Sequence, residues 1–84
     1  MARFYFDIRD GDVFVPDHEG WEYASVGDAC DEAVRTLADL AREAVRAGHK
    51  KSFSLRMSIE VRDEGGTVVE VGFAFEVARR RLDA

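Results

Sequence analysis

The chain has 84 residues, 17 acidic against 12 basic side chains, a net charge of −5 and 46% hydrophobic residues. That length allows one domain near the limit at which a single core suffices, and the composition is that of a folded soluble chain rather than a disordered one. The acidic balance argues against a general nucleic-acid binder, which needs basic groups to displace counterions from phosphates.

Cys30 is the only cysteine, which excludes an internal disulfide and a cysteine-rich zinc site. No apolar run approaches the roughly 20 residues of a spanning helix. The opening "MARFYFDIRDGD" meets charge before any signal-peptide apolar core, so a cytoplasmic location is expected.

Residues 3–9, "RFYFDIR", alternate Phe4, Phe6 and Ile8 with Tyr5, Asp7 and Arg9, the period of a strand with one buried face. Asp10-Gly11 then suits a two-residue turn into a second strand, 12–16, pairing Arg9 with Asp12, Ile8 with Val13 and Phe6 with Val15. Pro16 ends that pairing because it has no N–H. "DHEG" at 17–20 fits a turn opened by Asp17, and "WEY" makes a short edge strand within 20–23.

Ser25 and Asp28 mark a helix start, and Gly48 its end, predicting a helix over 26–47. Its apolar stripe is read through Val26, Cys30, Ala33, Leu37, Leu40 and Ala44, with Ala29, Val34, Ala41 and Val45 broadening it. Cys30 is therefore expected as a small buried hydrophobe.

Residues 53–62 and 67–77 alternate again, and matching their apolar sets puts Val61 opposite Val69 and Ile59 opposite Val71. That pairing implies the three-residue loop Glu64-Gly65-Gly66; a two-residue Glu64-Gly65 turn would set Val61 opposite Val68 and split the apolar sets between faces. Residues 78–84 form a basic tail. The expected fold is α+β: hairpin, helix, hairpin, with one helix on one face of a four- or five-stranded, mostly antiparallel sheet. Strand 3–9 is placed beside 53–62.

The acidic stretch 6–20, "FDIRDGDVFVPDHEG", invites a metal-site reading. It fails the EF-hand spacing: starting at Asp10, Phe14 and Val15 fall where a ligand and the central glycine belong; starting at Asp7, Arg9 takes a ligand position. Turn chemistry explains the acids instead, with Asp12 facing Arg9. His18 and His49 fall in loops near opposite ends of the helix, too far apart to share a metal. No convergent acid–base or nucleophilic set stands out, so no catalytic residue, cofactor or metal is expected.

The outward sheet face is the more informative surface. Ser54, Arg56, Ser58, Gly72 and Ala74 make a strip of mostly small side chains, with Tyr5 and Phe14 beside it and Trp21 or Tyr23 nearby. The like-charged pair Glu60–Glu70 calls for neutralising arginines, Arg56 and Arg62. Such a face suggests a contact surface, and the short chain suggests a homodimer, through this face or through a sheet edge. Arg79, Arg80 and Arg81 read as a solvated tail or as a dock for a small acidic protein partner. The expected function is a non-enzymatic interaction module; the alternative is a ligand- or metal-binding domain or small enzyme built on Asp10–Glu19.

The segments "RFYFDIRDGD" at 3–12, "PDHEGWEY" at 16–23, "GDACDEAVRTLADLAREA" at 27–44 and "IEVRDEGGTVV" at 59–69 resemble a family of small bacterial proteins, domain of unknown function 6894. That resemblance covers nearly the whole chain and implies no activity or catalytic residue. More distantly, strand–Asp-Gly–strand–turn–helix is similar to the N-terminal domain of HicB-type antitoxins, which implies binding to a small toxin protein; the second hairpin and the lack of an appended DNA-binding domain depart from that pattern.

Overall fold

The computed structural model describes residues 1–48 and 52–81. Six elements follow in order: β1 (Ala2–Asp10), β2 (Val13–Val15), β3 (Trp21–Tyr23), α1 (Val26–Ala47), β4 (Phe53–Asp63) and β5 (Gly66–Val77). The sheet order is β2-β1-β4-β5, with β3 also paired to β1, and every pairing is antiparallel. This is the expected α+β architecture, one helix on a five-stranded open sheet, and β1 does abut β4.

Because β4 is central, its helix-side residues carry the core. Ile59 and Val61 are fully buried, with Met57 and Phe4 close behind. Against them α1 lays Ala29, Ala33, Leu37 and Ala41. Three alanines on that line let the helix backbone come close to the sheet. Ser25 caps the helix, its Oγ accepting the Asp28 N–H at 3.1 Å, and the Gly48 N–H closes the other end on Ala44 and Val45 carbonyls.

Four details differ from the sequence reading. In the first hairpin the pairs are Ile8–Val15, Arg9–Phe14 and Asp10–Val13, so the turn is Gly11-Asp12. The cause lies across β1: Asp10 still pairs with Met57, and the Gly11 N–H donates to the Arg56 carbonyl at 3.0 Å, extending β1 past the expected turn. The shift of two keeps each side chain on its face. Val13 and Val15 nonetheless stay exposed, and Asp12 does not face Arg9.

In the second hairpin Val61 opposes Val69 and Ile59 opposes Val71, as the alternation requires. Yet the turn is the two-residue Glu64-Gly65, because Arg62 pairs with Thr67 and Asp63 with Gly66. Val68 is squeezed out as a bulge, which satisfies both demands at once. Gly66 takes a positive φ of 118°, and the Gly65 N–H donates to Asp63 Oδ1 at 2.8 Å.

The helix stripe is rotated from the one expected. Cys30 is only half-buried, while Val26 and Val34 are exposed. Finally, Trp21 and Tyr23 pair with Phe4 and Ala2, which puts them on the helix side of the sheet. Tyr23 stacks there on Phe6 at 5.8 Å, and Trp21 is 71% exposed.

Candidate functional site

β2 and β3 share one edge of β1 but are out of step. Ile8 opposite Val15 would carry on to Glu19 opposite Phe4; Trp21 stands there instead. Residues 16–20 therefore hold surplus chain. Pro16 sits where the ladder breaks, and the Asp17 carboxylate fills the gap. Its Oδ2 accepts the Phe6 N–H at 3.1 Å, replacing the missing strand carbonyl, and its Oδ1 accepts the Glu19 and Gly20 N–H groups, both at 3.1 Å.

A second carboxylate holds this loop to the sheet. Asp7 points to the side away from the helix, yet it is only 5% exposed. Its Oδ1 accepts the Asp17 N–H at 2.9 Å and its Oδ2 accepts Arg62 Nε at 2.7 Å. Arg62 Nη2 donates in turn to the Asp17 carbonyl at 2.8 Å, and the guanidinium lies over the Tyr5 ring, 4.6 Å from its centroid. Arg3 closes the rim by donating to the Glu19 carbonyl at 2.7 Å.

The electrostatics agree with the geometry. Burial pushes the Asp17 carboxyl up, but the Phe6, Gly20 and Glu19 N–H groups and the Arg62 charge together hold it below its ordinary value. The hydrogen bond to Asp7 raises Arg62 further above its already high value. Asp7 and Asp17 are thus engaged in holding the chain. Among the described residues no group of three or more His, Cys, Asp or Glu is arranged to hold a metal. His18 is exposed, and His49 lies outside the described residues.

The outward residues singled out from the sequence divide into two groups. Arg56, Ser58, Gly72 and Ala74 line one shallow depression with Glu70, and Ser54 lies in an adjoining one with Gly11 and Glu76. Tyr5 stands apart under Arg62, and Phe14 lies beneath Arg9, 4.6 Å from guanidinium carbon to ring centroid. Arg62, expected to neutralise the Glu60–Glu70 pair, serves Asp7 instead; Glu60 takes a hydrogen bond from Thr67 Oγ1 at 3.5 Å. Arg79 and Arg80 are exposed, and the Arg79 N–H donates to Ser52 Oγ at 2.9 Å, pinning the start of the tail to the base of β4. Arg81 is exposed as well.

A further surface was not visible in the alternation. Among the described residues no strand pairs with the far edge of β5, which runs from Gly66 to Val77. Its helix-side residues Val69, Val71 and Phe73 are only half-buried, and Phe75, stacked on Phe73 at 5.7 Å, is 39% exposed. The helix flank above this edge is apolar too. Burial raises the Tyr23 phenol of β3 and the Glu32 charge raises it further, which places Glu32 on the β3 flank of the helix; at 100° per residue Cys30, Val34 and Val45 lie about 140–160° around from Glu32, on the flank toward β5. Val34 is 51% exposed. The missed signal was the asymmetry of the helix: polar on one flank, apolar on the other.

These features define a small α+β module, a single helix on an open antiparallel sheet, with one edge made of two short strands and a loop braced by side chains, and the other a long strand that is unpaired among the described residues. The chain belongs to the family described as domain of unknown function DUF6894, whose model matches residues 3–78. Comparison with curated proteins and with solved structures finds no match. Among the described residues no helix is long and apolar enough to cross a membrane.

Proposed function

We propose that this protein is a non-enzymatic protein-interaction module, antitoxin- or adaptor-like in acting by binding another chain, and that it binds along the edge of its sheet. The observation that carries the reading is the edge of β5, unpaired among the described residues, a long row of backbone donors and acceptors flanked by half-covered apolar side chains. Such an edge is a template for strand addition, in which backbone hydrogen bonds supply affinity and alternate side chains supply selectivity. The rival reading, a ligand- or metal-binding or catalytic site on Asp10–Glu19, loses support because Asp17 is spent on backbone N–H groups and its loop is tied to Asp7 and Arg62.

The test uses ¹⁵N-labelled protein in dilute buffer and in concentrated unlabelled lysate. The amide signals of β5 are expected to shift or broaden first, either as the labelled protein's own concentration is raised or as lysate is added. Perturbation confined to residues 10–19 would transfer the case to the ligand-binding reading.

A further inference from the structure

We infer that the occupant of the β5 edge is a second copy of this chain, joined about a two-fold axis perpendicular to the sheet and centred on Gly72. The inference rests on the edge-binding reading above and names its partner. Two unsatisfied surfaces lie on the same side of the molecule. One is the bare backbone of β5; the other is the apolar flank of α1 with Val34 half in water. An extended peptide would cover the first and leave the second wet. A two-fold perpendicular to the sheet covers both, because it keeps the two helices on one side and brings each flank toward its twin across the seam.

Charge selects the register. An isologous antiparallel pairing centred on Glu70 sets that residue against itself, and one centred on Phe73 sets Glu70 against Glu76 of the other copy. Centring on Gly72 avoids both clashes, pairing Glu70 with Ala74, and it brings 67–77 of each strand into register. It keeps 69–75 clear of the bulge at Val68, whereas a centre on Val71 keeps only 69–73 clear. A centre on Ala74 pairs only 71–77 within the strand. At Gly72 itself the outward side is open: an added Cβ meets nothing nearer than the Met57 carbonyl at 4.0 Å. Side chains can be placed there without disturbing the monomer.

Light scattering with size exclusion at tens of micromolar tests the inference. The wild type is expected at twice the 9.4 kDa of one chain. Gly72→Lys and Gly72→Glu, each folded by circular dichroism, are each expected at the single-chain mass, since each sets like charges face to face at the axis. Their equimolar mixture is expected to return to the doubled mass. Val34→Lys, at an exposed position that cannot unfold the core, is expected to raise the dimer dissociation constant at least tenfold. A monomeric wild type overturns the inference, as does a Gly72 variant that stays dimeric, a mixture that stays monomeric, or an unchanged Val34→Lys. A monomeric wild type whose β5 signals still move in lysate rejects the second copy and retains edge binding. Unmoved β5 signals in lysate, with Gly72 variants still dimeric, reject both.

Discussion

The two edges of this sheet solve the same problem in opposite ways. On the β2/β3 side the strand is broken at Pro16, the chain bows outward, and the Asp17 side chain occupies the position a strand carbonyl would take against Phe6. On the β5 side the strand runs unbroken from Gly66 to Val77, with only the Val68 bulge near its start. Proline, a bulging loop and inward-pointing charge are devices that prevent edge pairing, and here they are concentrated on one side. An edge made of two three-residue strands and a loop offers little backbone to a pairing strand, which makes the length of the β5 edge informative.

The comparison breaks most severely at Gly20. It sits at φ 70°, and a Cβ there would meet the Phe4 carbonyl at 2.7 Å and the Tyr5 ring at 2.9 Å. Gly20→Val is expected to cost about 3 kcal/mol or more, from left-handed strain plus the clash, and to free the β1 edge for aggregation. Thermal melting and turbidity report both effects. A protein that melts as the wild type does would mean that the loop does not clamp β1.

Asp7→Ala comes next. It leaves the Asp17 N–H and the Arg62 guanidinium without their carboxylate, and about 2 kcal/mol is expected, tempered by the partial exposure of Arg62. The double variant with Arg62→Met should cost less than the sum of the single changes, the coupling that a double-mutant cycle detects.

Asp17→Asn is expected to cost about 1 kcal/mol near neutral pH, because the amide accepts more weakly than the carboxylate. The sign of its pH dependence follows from the direction of the shift. The folded carboxyl lies below its ordinary value of 3.8, so its contribution is complete above that pH and is lost as pH falls through the depressed folded value. Denaturant titrations from neutral pH down to acid should show a shallower loss of stability in Asp17→Asn than in the wild type; parallel curves would contradict the assignment.

An effect no larger than that of Asp17→Asn is expected at Gly11. Its φ is 60°, but an added Cβ would meet nothing within 4 Å. Gly11→Ala should therefore cost only about 1 kcal/mol, conformational strain without a clash. The contrast between Gly20 and Gly11 separates the clamp from ordinary turn geometry.

How much of this was legible depended on distance along the chain. The limits of α1, the Ser25 cap, and the Val61–Val69 and Ile59–Val71 pairs rest on alternation and capping chemistry local to each segment, and the structure has them. The first turn was displaced because the ladder with β4, a distant segment, decides how far β1 runs. The Asp7–Arg62 contact joins residues 55 apart in sequence. Alternation places Asp7 on the outward side and cannot say that a loop closes over it. The binding surface was half visible: small residues on the outward strip could be read, whereas the bare edge emerged only once β5 was found at the end of the sheet. Cys30 was misplaced for a related reason, since a broad alanine-rich stripe leaves its own midline undetermined.

The central position of β4 carries a consequence for how the chain acquires its shape. β1 is made well before its longest partner, which begins at Phe53, after the entire helix has been synthesised. Until Arg62 emerges, Asp7 has no cation, the loop at 16–20 has no anchor beneath it, and the alanine ridge of α1 has no Ile59 or Val61 to rest on. The first half of the molecule thus holds only part of the core, which is completed when Met57, Ile59 and Val61 of the second hairpin arrive. Such a reliance on distant contacts slows folding relative to helical proteins of the same size. A ribosome-bound chain stopped before β4 should accordingly be as sensitive to protease as an unfolded one.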